Sequence, residues 1–512
     1  MKRVGLMFVF LLTLCLATPV QAQAEEEEYE YTIANYNGKQ GICITGSKNN
    51  DRTSLDIPAT IEGLPVLEIS VGAFRDYASL TTVNLPEGLL YIRDYAFYFC
   101  TNLISVKIPD SVTEIGIEVF SGCSNLEEVR LPVNLKVISE ALFYNCFALK
   151  RVVLPERLEC IESAALYECR SLEDMLLPEF VTFIGEHAFY GCDTFKKLWI
   201  PDSVITLEKG AFQDCIGVEK VHLSSGLTKL EEEVFCGCTS LLQIEIPASV
   251  KFLGTNVFRG CTALQKAVLA EGLQTIGYAA FGSCTNLQEI SLPEGLVKID
   301  EFAFYECPGL IAVSLPQSLI FLGQSAFQMC TGLEEISFGE RLYTIYDFTF
   351  YGCSSLNSIT LPKEMSSIGE YSFEECPNLK TVITHAATYA DTWAIEKGLT
   401  VNYFHYYDDW KLSKEPTCFV EGQETRQCSY CGETEYRELE KLVHQYGDWL
   451  VVKGSKLIPP IVSQKTCGLC GDVQIQEDWS YRWISILCIC MGSVVLAAGI
   501  VTGIVILRRK RK

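Results

Sequence analysis

The chain has 512 residues, with 64 acidic against 41 basic side chains, a formal charge of −23, 48% hydrophobic residues and 24 cysteines. That is too apolar for a disordered chain and long enough for several folding units at roughly 150 residues each. The acidic balance excludes a general nucleic-acid binder, which needs a basic footprint, and five histidines leave little for histidine-rich catalysis.

In chain order, Met1-Lys2-Arg3 is followed by an apolar run from Val4 to Ala17 and by small residues at Ala22 and Ala24. A basic start, a short apolar stretch and a small-x-small exit predict a secretory signal peptide over 1–24, cleaved after Ala24 or Ala22.

From Phe74 an aromatic recurs every 23 residues, through Phe97, Phe120 and Phe143 to Phe350 and Phe373, with Leu166 the one aliphatic in the series. Three residues after it stands a cysteine, from Cys100 to Cys376; only the first unit differs, with Tyr77. Leu103, Val106 and Ile108 before Pro109 read as a short half-buried strand by their period of two. A turn follows, then a second short strand such as Thr113-Glu114-Ile115. A unit of this size cannot bury its own apolar face, but stacked units can. The expectation is a mostly β solenoid with short helical turns, about 14 coils over 55–383, with the phenylalanines as a core column.

The pattern Ile-x-x-x-Ala-Phe-x-x-Cys-x-x-Leu-x-x-Val-x-Ile-Pro resembles the BspA-type leucine-rich repeat of bacterial and some protozoan surface proteins. The segment Tyr29 to Ser54, followed by Ile57-Pro58 and Ile61-Glu62-Gly63-Leu64-Pro65-Val66, resembles the N-terminal strand cap of that family, which implies such a cap over 25–70. Tyr389-Ala390 and Glu396-Lys397-Gly398-Leu399, within 384–403, resemble its closing segment. The resemblance implies a leucine-rich repeat solenoid and adhesion to host matrix or other microbial surfaces.

Stacked coils bring the column cysteines close together, but every Cβ points the same way, which is poor disulfide geometry. In apolar surroundings they are expected to be small core side chains with raised pKa rather than a redox ladder. Strand side chains directed away from the core line the expected concave face. Val153, Leu176, Trp199 and His222 form an apolar column there, flanked by Arg151, Lys197 and Lys220, the make-up of a binding hot spot. These seven are the candidate ligand-binding residues, for an extracellular protein or glycan. The alternative is a structural spacer or surface-layer component with no specific ligand. No phosphate-cradling glycine motif, His-Glu-x-x-His or histidine beside a nucleophile is present, so no enzyme is expected.

Beyond the repeats, His405, Tyr407, Trp410, Cys428 and Cys431 recur 39 residues later as His444, Tyr446, Trp449, Cys467 and Cys470. Each cysteine pair reads Cys-x-x-Cys-Gly, a turn that aims two thiolates at one tetrahedral metal. Residues 404–478 therefore predict two zinc ribbon-like modules, and they resemble the Trp/Cys-x-x-Cys-Gly modules that follow such repeats in Firmicutes surface proteins. Cys418, Cys428, Cys431 and His444 are one candidate set of structural zinc ligands; the two pairs together, with Cys467 and Cys470, are the other. Disulfides compete with both. Ile484 to Leu507 carries no charge and is followed by Arg508-Arg509-Lys510-Arg511-Lys512. That predicts one transmembrane helix over 484–507 with a cytoplasmic tail over 508–512, hence a single-pass type I protein of the cell membrane with an extracellular body.

Overall fold

The computed structural model describes residues 28–429, 432–455 and 458–478, which fall into two compact units divided between Tyr403 and Phe404.

In the first unit most repeats contribute a strand of three or four residues, a turn that proline usually leads, a two-residue strand and a tight loop that carries the aromatic. The strand Glu128–Arg130 shows why the alternation matters: Val129 is buried while Glu128 and Arg130 face out. Neighbouring coils pair in parallel and in register, with Val106 beside Val129 beside Val152. The two-residue strands make a second ladder, in which Cys160, Phe183 and Thr206 are neighbours. A single coil cannot satisfy its own amides. They donate to the next coil instead, as Phe97 N does to Val119 O at 3.0 Å.

The phenylalanines stack through the core. Phe97 and Phe120 lie 5.6 Å apart with rings 5° from parallel, and Phe235 and Phe258 lie 5.7 Å apart at 2°. Leu166 is buried between Phe143 and Phe189. Aromatics from the caps close both ends of the column. Tyr29 meets Phe74 edge-on at 6.5 Å. Trp393, on the helix Tyr389–Glu396, packs against Phe373 at 5.5 Å. That helix starts where the Thr388 hydroxyl accepts the Asp391 amide, an N-cap that satisfies an otherwise orphaned donor.

Two expectations are corrected. The solenoid has about 16 turns, not 14. Strands Ser54–Asp56 and Thr400–Tyr403 extend the strand column at its two ends, and neither end turn carries the phenylalanine that marks a repeat. The second correction concerns the membrane. A span needs about 20 apolar residues in a helix, whereas the helix Tyr389–Glu396 has 8. Among the described residues no helix is long and apolar enough to cross a membrane. The single-span anchor, the type I cell-membrane location and the membrane as a partner are withdrawn on this finding. The segment 484–507 expected to supply the span, the tail 508–512 and the leader 1–24 lie outside the described residues.

The second unit holds two three-stranded antiparallel sheets. One comprises Lys411–Lys414, Gly422–Gln427 and Thr434–Leu439; the other comprises Leu450–Ser455, Ile458–Thr466 and Val473–Asp478. Isolated bridges, Tyr407 to Cys428 and Tyr446 to Cys467, recur at the same place in both, so the 39-residue copies fold alike.

Candidate functional site

All seven residues named for the strand face lie on or beside the column of three-residue strands. Lys197 and Lys220 are register neighbours, as are Trp199 and His222. The Trp199 and His222 rings stack at 3.8 Å, 16° from parallel, and Trp199 remains 52% exposed. Arg151 reaches Glu128 at 3.5 Å. Lys197 and Lys220 make no ion pair among the described residues, although Lys196 next door binds Glu219 at 3.4 Å. The two lysines place like charges side by side, with the Asp174 carboxylate against the backbone amide of Lys197.

The strand column is interrupted here, and once more between Glu289–Ser291 and Ala312–Ser314. Strands from Ser54–Asp56 to Arg151–Val153 form one sheet, and Lys197–Trp199 begins the next. The coil between them, with Asp174, Met175 and Leu176 at the strand position, forms no strand. The two-residue ladder runs through the same coil unbroken, so the defect belongs to this face alone. Leu176 is 83% exposed. The break opens a cleft of about 810 Å³ whose walls include Arg151, Val153, Leu176, Phe180 and Trp199, with the carboxylates of Glu156, Glu173, Asp174 and Glu179 also among the lining residues. Four of the seven named residues therefore line one cavity. Lys197, Lys220 and His222 stand outside it, and Lys220 borders a smaller polar hollow with Gln243, Lys266 and Glu289.

In the second unit, Cys418, His444, Cys467 and Cys470 bring their ligand atoms within 4.8 Å of one another, a group that could hold a metal ion. Cys418 Sγ lies 3.8 Å from Cys467 Sγ, and Cys470 Sγ lies 3.2 Å from His444 Nδ1. A tetrahedral ion with metal–sulfur bonds of about 2.3 Å separates its sulfurs by about 3.8 Å, so the donor set fits. The turn is set by Gly471, whose φ of 74° favours glycine, while its amide donates to Cys467 O at 2.9 Å. Burial raises the Cys467 thiol, but the Leu469 amide, His444 and Cys470 outweigh it and bring Cys467 down to about 6. Burial, with Cys470 and Cys467 beside it, pushes Cys418 up to about 12.

This is neither of the two sets expected from sequence. Cys418 and His444 join the second cysteine pair; Cys428 is buried elsewhere, and Cys431 lies outside the described residues. The reason is local. The Tyr446–Cys467 bridge and the bond from Gly468 N to Gln445 O at 3.0 Å hold His444 beside the knuckle of its own copy. The spacing carried that signal, since His405 precedes Cys428 by the same interval as His444 precedes Cys467.

Comparison with known proteins decides the family. The family model of the BspA type leucine rich repeat region matches residues 48–173, 136–265, 182–309 and 251–380. The chain belongs to the BspA-type leucine-rich repeat family. A leucine-rich repeat protein from Bacteroides ovatus, known from a crystal structure, is 29% identical with a TM-score of 0.65, covering 74% of this chain and 98% of its own. A leucine rich cell surface protein from Faecalibacterium prausnitzii is 25% identical over 71% of this chain and 97% of its own, with a TM-score of 0.39. The pneumococcal vaccine antigen PcpA is 19% identical over 74% of this chain and 98% of its own, with a TM-score of 0.45. No curated protein matches.

The BspA-type match ends at residue 380, short of both Cys-x-x-Cys-Gly segments. Their expected kinship with modules of Firmicutes surface proteins is therefore not sustained, and nothing assigns the chain to the Firmicutes. Within the BspA-type repeats the column thiols stay free and, apart from the partly exposed Cys376, buried. Each donates to the phenylalanine or leucine carbonyl of the preceding coil, as Cys261 does to Phe235 O at 3.2 Å. Burial pushes Cys100 and Cys330 up to about 12 and raises the others in the column.

Proposed function

We propose that this BspA-type protein binds an extracellular protein or glycan through the strand face of its solenoid, at the cleft beside Trp199, without catalysing a reaction on it. The supporting observation is the convergence of Arg151, Val153, Leu176 and Trp199 on one cleft at the coil of the strand column that forms no strand. An exposed aromatic with large aliphatic neighbours gives an anchor point. The carboxylates of Glu156, Glu173, Asp174 and Glu179 around the same cleft favour a ligand that presents apolar surface rather than an anionic group to it. The test is a binding screen of the soluble protein against matrix proteins, microbial surface proteins and acidic and neutral glycans, repeated with Trp199→Ser. Loss of the bound ligand supports the reading; unchanged binding of every ligand removes the patch from it.

We infer further that the second unit holds zinc at Cys418, His444, Cys467 and Cys470. Three thiolates and one imidazole are a borderline-soft set that suits zinc, and four protein ligands make the site structural rather than catalytic. Cobalt substitution tests this: thiolate charge-transfer and tetrahedral d–d bands support it, and their absence from the intact protein rejects it.

A further inference from the structure

The cleft has a specific cause in the backbone. In several coils of the strand column two successive amides share one carbonyl of the preceding coil, and in most of the others the first of the two donates to it alone. Lys150 N and Arg151 N both donate to Glu127 O, at 2.8 and 3.3 Å. Glu219 N and Lys220 N donate to Lys196 O, at 3.0 and 3.3 Å, and Gln288 N and Glu289 N donate to Gln265 O, at 3.0 and 3.1 Å. By this pattern Lys196 N and Lys197 N belong to Glu173 O. They go instead to the side chain of Asp174, whose Oδ1 accepts from Lys196 N at 2.6 Å and from Lys197 N at 3.1 Å. The carboxylate takes the place of the carbonyl one residue earlier, and the following residues leave the ladder.

Two later bonds found in part of the column are absent here. Leu131 N donates to Val153 O at 3.1 Å, and Ile200 N donates to His222 O at 3.0 Å. The counterparts in the broken coil, Leu154 N to Leu176 O and Leu177 N to Trp199 O, are not made, as Leu85 N to Lys107 O and Ile108 N to Arg130 O are not made between paired strands. The opening strand position is Thr, Ser, Glu, Arg, Lys, Gln or Ala in every other coil, and Asp only at 174. Glu128 and Glu335 occupy it in strands paired on both sides, while Glu289 opens the strand before a second break in the column, so negative charge by itself is not the cause. The short arm of aspartate is, because it sets an acceptor at carbonyl distance from the next coil, as Asp and Asn do when they compete with backbone acceptors in turns.

We propose that Asp174 is the positioning residue that opens the strand face, holding Leu176 out of the sheet and leaving the cleft between Arg151–Val153 and Lys197–Trp199. This rests on the reading of the cleft as the binding surface only for its consequence, namely that one side chain determines whether the surface exists. Removing the short carboxylate returns Lys196 N and Lys197 N to Glu173 O and lets residues 174–176 join the ladder.

The test is residue-resolved hydrogen exchange on the full-length chain, with no ligand present. In Asp174→Thr and in Asp174→Glu, the Leu154 and Leu177 amides should exchange at least about tenfold more slowly than in the parent, as amides entering a ladder do. Asp174→Asn keeps an oxygen acceptor on the same short arm and should exchange like the parent. Parent-like exchange in both the Thr and the Glu variants overturns the proposal, as does closure in the Asn variant. Either result strikes the role of Asp174 and leaves the binding surface standing, whereas the ligand screen tests the surface and leaves Asp174 untouched.

Discussion

The Sγ of Cys146 donates to the carbonyl of Phe120, 3.1 Å away in the preceding coil. The same carbonyl accepts the amide of Cys123 at 3.1 Å, so one oxygen binds its own coil and the next. The contact joins the two columns that the 23-residue period produces. The phenylalanine ring supplies buried area, and the thiol satisfies the second lone pair of a carbonyl that water cannot reach.

Truncation in the aromatic column should be costly. Phe235→Ala removes a fully buried ring stacked on both sides and is expected to destabilise by about 3–5 kcal/mol. Phe235→Leu, which copies the leucine found naturally at position 166 of the same column, should cost less than about 1.5 kcal/mol. Urea unfolding followed by circular dichroism separates the two.

The thiols give a pH dependence with a definite sign. Burial raises the column thiols, with Cys100 and Cys330 at about 12, above the value of about 8.5 for an unfolded cysteine. The folded state therefore keeps protons that the unfolded state releases. This contribution is fully present below about pH 8.5 and falls as pH rises toward 12. The urea midpoint of the reduced protein should drop steadily above about pH 9. Replacing Cys238 and Cys261 by alanine should make that decline shallower by up to two protons' worth; an unchanged slope would show that the thiols are not the groups responsible.

The end of the column depends on Trp393. Trp393→Ala uncovers Phe373, and in a solenoid the loss is felt first by nearest neighbours. Hydrogen exchange should accelerate in 358–384 and stay near the parent rate in 220–253. A uniform acceleration along the repeats would contradict a nearest-neighbour solenoid.

For the metal site, Cys418→Ser and Cys470→Ser should each lower the zinc content by the same single equivalent, and the double variant should lower it no further. Metal analysis by mass spectrometry of the intact protein measures this. Additive losses would mean that the two cysteines serve different ions.

How far the sequence disclosed this molecule differs from feature to feature. The solenoid was legible because Phe97, Cys100, Leu103 and Val106 each recur at a fixed interval, and stacking is the arrangement that buries all four. The end turns were not, since Ser54–Asp56 and Thr400–Tyr403 pair with the repeats without carrying their marker residue. The break at Asp174 was hidden for another reason. Leu172, Met175 and Leu177 keep the apolar alternation of their neighbours, and periodicity does not register which oxygen accepts an amide. At the metal site the cysteine knuckles were visible, but the partner of His444 was set by a bridge between Tyr446 and Cys467 that ligand counting does not include.

The most direct measurement is the affinity of the protein for a ligand recovered in the screen, compared among the parent, Leu176→Ser with Trp199→Ser, and Phe252→Ser. Phe252 is an exposed aromatic on the other ladder and serves as the control. Binding through the strand face requires the double variant to lose the ligand by at least about 100-fold, as hot-spot truncations do, with the Phe252 variant binding like the parent. Parent-like affinity in the double variant would place the ligand elsewhere and contradict the binding role of this face.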